Sequence, residues 1–202
     1  MSCRGIELGR SSDGKPPLLW IIGYGNPQRR DDGIGPYVVS TLDSALKERD
    51  GIHILACHQL GPELVEELSQ VDLVLMVDAS VQEIPGGWEW RKVEPDLGQR
   101  HYLSHHVKPA FFLGLIQSVY HRCPLTWMVS VQGDDFDLGE GLTPAAEKRA
   151  IEAVNEIVKF VDECHLILDR FPPEHRPLPA RTEEVVGLPL HRGANLVKIS
   201  SD

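Results

Sequence analysis

Five short apolar runs alternate along this chain with segments of helical period, and that alternation constrains the fold more than any other feature. The runs are LLWIIGYG (18–25), GIHILACHQ (51–59), LVLMVDAS (73–80), GWEWRKVE (87–94) and LTWMVSVQG (125–133). Each is rich in Val, Ile, Leu or Trp and bounded by Gly, Pro, Asp or Asn, as strands are. Between them, residues 34–49, 62–70, 107–120 and 144–163 carry the helical spacing. In the last, Ala150, Ile151, Val154, Ile157, Val158 and Val161 are expected on one face, with Thr143 as N-cap and Pro144 in the first turn. Strands alternating with helices imply right-handed crossovers. The expected fold is α/β: a three-layer α/β/α sandwich around a mostly parallel, twisted five-stranded sheet. LVLMVDAS is apolar without alternation and suits a central strand buried on both faces. GWEWRKVE alternates Trp88, Trp90 and Val93 with charged residues, the pattern of an antiparallel edge strand.

At 202 residues the chain suits one domain. That domain is expected over residues 18–168, after a flexible polar leader (1–17) and before a Pro- and Arg-rich tail (169–202). The formal net charge of −10 argues against a nucleic-acid partner, which needs clustered Lys and Arg, and against anionic membranes. Cys3, Cys57, Cys123 and Cys164 form no CxxC pair and fit reduced, packing thiols. With no apolar run of about 18 residues and no signal-like leader, a cytoplasmic location is expected.

The chemistry is concentrated after the first strand, in IIGYGNPQRRDDGIG (21–35). A dinucleotide fingerprint would need glycine where Gln28 stands, and no Gly-Lys-Ser/Thr of a phosphate-binding loop follows. Asp31 and Asp32 would also repel a polyphosphate. No G-x-S-x-G elbow, HExxH helix or recognisable cysteine nucleophile occurs, so carboxylates and histidines must carry any catalysis. In a doubly wound sheet the groups that converge are those at the carboxyl ends of strands. Three segments qualify: Asp31-Asp32, Asp78 in MVDAS, and SHH (104–106) ahead of the third helical segment. Two oxygen donors and one nitrogen donor suit a divalent ion such as Ni²⁺ or Zn²⁺. Singly, each has a plainer role: Asp31 or Asp32 as a helix cap, Asp78 as a turn residue, His105 and His106 as surface groups.

In order, GYGNPQRRDDGIG, LVLMVDAS, SHH with VKPAFFLGLIQSVY, and GLTPAAEKRAIEAV resemble the maturation endopeptidases of NiFe hydrogenases. The resemblance spans about residues 18–161 and places the family's metal-interacting groups on Asp32, Asp78 and His106, with His105 next door. Family members often have Glu where Asp32 stands. HQL (58–60) is similar to the variant in proteases serving bidirectional, NAD-linked hydrogenases. The resemblance implies removal of a C-terminal extension from the hydrogenase large-subunit precursor once nickel is inserted. It implies Ni²⁺ carried by that precursor, no organic cofactor, and a monomeric enzyme acting with catalytic and metal-contacting Asp32, Asp78 and His106. The alternative is a metal-binding or nickel-sensing accessory protein that recognises the precursor without cutting it.

Overall fold

The computed structural model describes residues 19–46, 49, 51–98 and 108–169, with side chains to residue 163. The leader, the segment 99–107 and the tail from residue 170 lie outside the described residues.

The five apolar runs form β1 (Leu19–Tyr24), β2 (Ile52–Cys57), β3 (Leu73–Ser80), β4 (Trp88–Val93) and β5 (Leu125–Gln132). They build one sheet in the order β2-β1-β3-β5-β4. The β1–β2, β1–β3 and β3–β5 pairs are parallel, and β4 runs antiparallel to β5 at the edge. Sheet class, central strand and reversed edge strand are those expected from the sequence.

Helices α1 (Ile34–Leu46) and α4 (Pro144–Asp169) cover one face, α2 (Leu64–Ser69) and α3 (Pro109–Tyr120) the other. The period of two along β3 divides its side chains between the layers: Leu73, Leu75 and Val77 pack with α1 and α4, Val74 and Met76 with α2 and α3. All five are essentially buried, each worth roughly 1.5–3 kcal/mol of transfer free energy. On β4, Trp88 and Trp90 pack onto the α1/α4 layer, the Trp90 ring 5.0 Å from Phe160.

One helix assignment needs correction. Ala150, Val154, Ile157 and Val161 are buried as expected, but Ile151 is 45% exposed and Ala146, Ala153 and Phe160 complete the buried face. Ile151 stands about 100° from Ala150 around the helix, so the stripe passes through alanines that a search for bulky residues overlooks. Thr143 does cap α4, its Oγ1 accepting the Ala146 N–H at 3.3 Å.

α3 ends beside the amino-terminal end of the sheet, where Arg122 pairs with the buried Asp72 at 2.9 Å just before β3 begins. The first turn of α3 is tied to the stretch after β4, where the Asp96 N–H donates to the Ala110 carbonyl at 2.8 Å. Among the described residues no helix is long and apolar enough to cross a membrane.

Candidate functional site

The segment between β1 and α1 is a tight turn ending in a 3-10 helix, Arg30–Gly33, that carries both acids. Its glycines let backbones meet: a Cβ on Gly23 would collide with the Gly35 carbonyl oxygen, and one on Gly35 would lie 2.7 Å from the Val77 oxygen of β3. The start of α1 is thereby seated against both β1 and β3. Gly25 has φ +138°, a conformation few L-residues adopt, where the chain leaves β1.

A phosphate cradle needs free backbone N–H groups, and this turn has none from Gly25 to Asp32. Gly25 donates to the Cys57 carbonyl, Asn26 to Asp32 Oδ2, Gln28 to Asn26 Oδ1 and Arg29 to the Asn26 carbonyl. Arg30 donates to Gly139, Asp31 to Asp135 and Asp32 to Arg29, each to a carbonyl oxygen. Pro27 has no N–H to offer. The glycines therefore serve packing, in agreement with the sequence pattern.

The two acids have different surroundings. Asp31 is fully buried. Its carboxylate accepts the N–H groups of Asp134 (2.7 Å), Asp135 (3.0 Å) and Thr143 (2.7 Å) and the Thr143 hydroxyl (2.9 Å). Burial pushes its pKa up, but these hydrogen bonds outweigh burial and hold the carboxyl below its ordinary range. Asp31 thus ties the acid-bearing turn to the β5–α4 loop and the cap of α4. Arg29 reinforces the tie by donating to the Phe136 carbonyl at 3.1 Å. Arg30, strained at φ +44°, forms an ion pair with Asp135 at 3.2 Å that falls short of hydrogen-bond geometry.

Asp32 is half-buried, and its Oδ2 is held by the Asn26 N–H at 3.0 Å. Neither acid takes the helix-capping role open to it in sequence: the bonds of Asp31 reach the β5–α4 loop and that of Asp32 reaches back to Asn26.

Asp78 lies towards the carboxyl end of β3, on the side of the sheet covered by α2 and α3. Burial raises its pKa to about 7; the Tyr24 hydroxyl and the Ala79 N–H favour the charged form, while the charge on Asp32 adds to the rise. Tyr24, on the same side of β1, is raised well above its ordinary value, by burial first and by the adjoining Asp78 second.

The structure therefore brings two of the three expected groups, Asp32 and Asp78, within electrostatic reach of one another. His106, its neighbour His105 and Ser104 lie outside the described residues. Among the described residues no three His, Cys, Asp or Glu side chains gather as a metal site. The donor chemistry nevertheless suits a divalent cation, which would offset the charge that Asp32 places beside Asp78. The surroundings that Tyr24 and Asn26 provide for the acids have no local signature. Tyr24 shares the inward-facing parity of Ile22, and Asn26 the N-P-Q turn, but neither signal points to the acids.

No family model matches the sequence, and no curated protein aligns with it. Solved structures do resemble it. The NiFe hydrogenase maturation protease HycI from Thermococcus kodakarensis is 23% identical, with a TM-score of 0.58 over 74% of this chain and 95% of that one. The hydrogenase maturating endopeptidase HybD from E. coli is 22% identical, with a TM-score of 0.57 over 72% and 93% of the two chains. A hydrogenase 2 maturation peptidase from a Thaumarchaeota archaeon is 20% identical, with a TM-score of 0.53 over 70% and 96%. At these identities the shared property is the fold: the mixed five-stranded sheet with flanking helices is that of hydrogenase maturation proteases.

Proposed function

We propose that this protein is a hydrogenase maturation endopeptidase, which removes the C-terminal extension of a nickel-loaded NiFe-hydrogenase large-subunit precursor. The observation that carries this reading is the coupling of Asp32 to a protonatable Asp78 at the carboxyl end of a sheet with this fold. Amide hydrolysis requires a proton to leave the attacking water and another to reach the departing nitrogen. A carboxyl with pKa about 7 is poised for both near neutral pH. Asp32, fixed by the Asn26 N–H, orients the reacting groups.

The precursor's nickel is part of the substrate. Asp32, Asp78 and His106 are the residues assigned to contact it, and the ion supplies charge stabilisation and recognition of a correctly loaded precursor. The HQL segment extends the reading to a bidirectional, NAD-linked hydrogenase. His58 and Gln59 are exposed where they can meet a partner, whereas Leu60 is buried in the layer under α2 and α3. We take the protein to act as a cytoplasmic monomer.

The test is to incubate the nickel-loaded precursor with the protein and weigh the large subunit. A loss equal to the C-terminal extension is expected. An unchanged mass overturns the protease and leaves the second reading, an accessory protein that docks on the nickel site without cutting. Omitting nickel from the precursor should leave it uncleaved.

A further inference from the structure

Hydrolysis of a peptide bond puts negative charge on the carbonyl oxygen, and an enzyme needs a hydrogen-bond donor there. The turn beside Asp32 has no backbone donor left to give, because every N–H from Gly25 to Asp32 is committed within the protein. The side chains of Arg29 and Arg30 are engaged as well, with Phe136 and Asp135.

Arg30 Nε makes no hydrogen bond and the exposed Gln28 side-chain amide has none among the described residues, but the unpartnered donor that is tied directly to Asp32 belongs to Asn26. Asn26 Oδ1 accepts the Gln28 N–H at 3.0 Å, closing a local turn. That bond also fixes the orientation of the carboxamide, since a flipped amide would set its NH₂ against the Gln28 N–H. The Asn26 Nδ2 group is therefore the end of the carboxamide that the turn does not use. Its backbone N–H simultaneously holds Asp32 Oδ2 at 3.0 Å, so the free amide and the assigned acid belong to one rigid unit. The side chain is half-buried, and Nδ2 makes no hydrogen bond within the described structure.

We infer that Asn26 is a catalytic residue of this site, its Nδ2–H donating to the scissile carbonyl oxygen of the bound peptide as that oxygen gains charge. The inference rests on the protease reading above. A neutral donor suits this position. It strengthens as the oxygen becomes anionic, and it neither neutralises Asp32 nor competes for a cation.

The test compares wild type, Asn26→Asp and Asn26→Ser on nickel-loaded precursor, following the mass of the large subunit over time. Both substitutions keep an oxygen able to accept the Gln28 N–H and leave the backbone N–H for Asp32, but neither carries the amide donor. One adds a charge and the other does not, so a loss common to both is not an effect of charge. The expected result is a fall in kcat of about 10²–10³-fold, with KM and capture of uncut precursor unchanged and the same urea midpoint. A fall in precursor binding, or cleavage by either variant within about threefold of wild type, overturns the assignment while leaving the protease intact. If wild type itself leaves the precursor mass unchanged, the protease reading and this one fall together.

Discussion

Replacing Asp78 by asparagine should make the protein more stable at neutral pH while removing its processing activity. The free carboxyl of an unfolded chain loses its proton near pH 4, whereas in the fold, where burial is the main cause, Asp78 keeps its proton until about pH 7. Over that interval the folded state binds more protons than the unfolded one, so stability falls as pH rises, and the cost stays constant above pH 7. From 3.8 to about 7, at about 1.36 kcal/mol per pKa unit, the cost is about 4 kcal/mol. Asparagine carries no charge to desolvate and is nearly the same size and shape as aspartate. Urea unfolding should therefore show little difference between the proteins near pH 4. At pH 8 it should show a midpoint about 2 M higher for the Asp78→Asn variant, at an m-value of about 2 kcal/mol/M. A chelator keeps metal binding from adding to either curve. A variant less stable than wild type at pH 8, or a difference that does not change with pH, would refute the reasoning.

Asp31→Asn should act in the opposite sense. Four donors converge on that carboxylate, an amide can accept only part of them, and a loss of about 3 kcal/mol or more is expected by urea unfolding. Because the folded pKa of Asp31 is lowered, its contribution is present above the unfolded pKa and fades as acid protonates the folded state. Wild type and variant should converge in stability as the pH is lowered. Asp32→Asn and His106→Ala should each abolish processing by mass spectrometry while leaving helical dichroism unchanged. Gly35→Ala should lower the melting temperature steeply or prevent folding, because the added methyl meets the backbone of Tyr24 and Val77. Inorganic phosphate at millimolar concentration should leave the melting temperature of wild type unchanged, since the turn after β1 has no N–H to offer it.

Much of the architecture was legible because local pattern and tertiary role agree. LVLMVDAS is buried on both faces and reads so; GWEWRKVE is half-covered at the edge and reads so. Ile151 departs from the expected stripe because bulk is an imperfect sign of burial: the buried face of α4 runs through Ala146, Ala150 and Ala153. The candidate site was legible in its residue types but not in their division of labour. Asp31 and Asp32 are chemically identical neighbours, and what separates them is a set of donors 103 to 112 positions away in sequence. Three of the committed N–H groups, those of Gly25, Arg30 and Asp31, likewise depend on Cys57, Gly139 and Asp135, which no local reading could supply.

The bond network of Asp31 also sets an order of assembly. Its partners, Asp134, Asp135 and the capping Thr143, belong to the last stretch of the domain to emerge during synthesis. The acid-bearing turn comes near the beginning, so it has nothing to close against until β5 and the start of α4 are in place. A nascent or truncated chain ending before Asp134 carries Asp32 and Asp78 but lacks the brace that fixes the turn. The geometry of the acid-bearing turn is thereby tied to completion of the domain, and an unfinished chain lacks the site for the same reason that it lacks the fold.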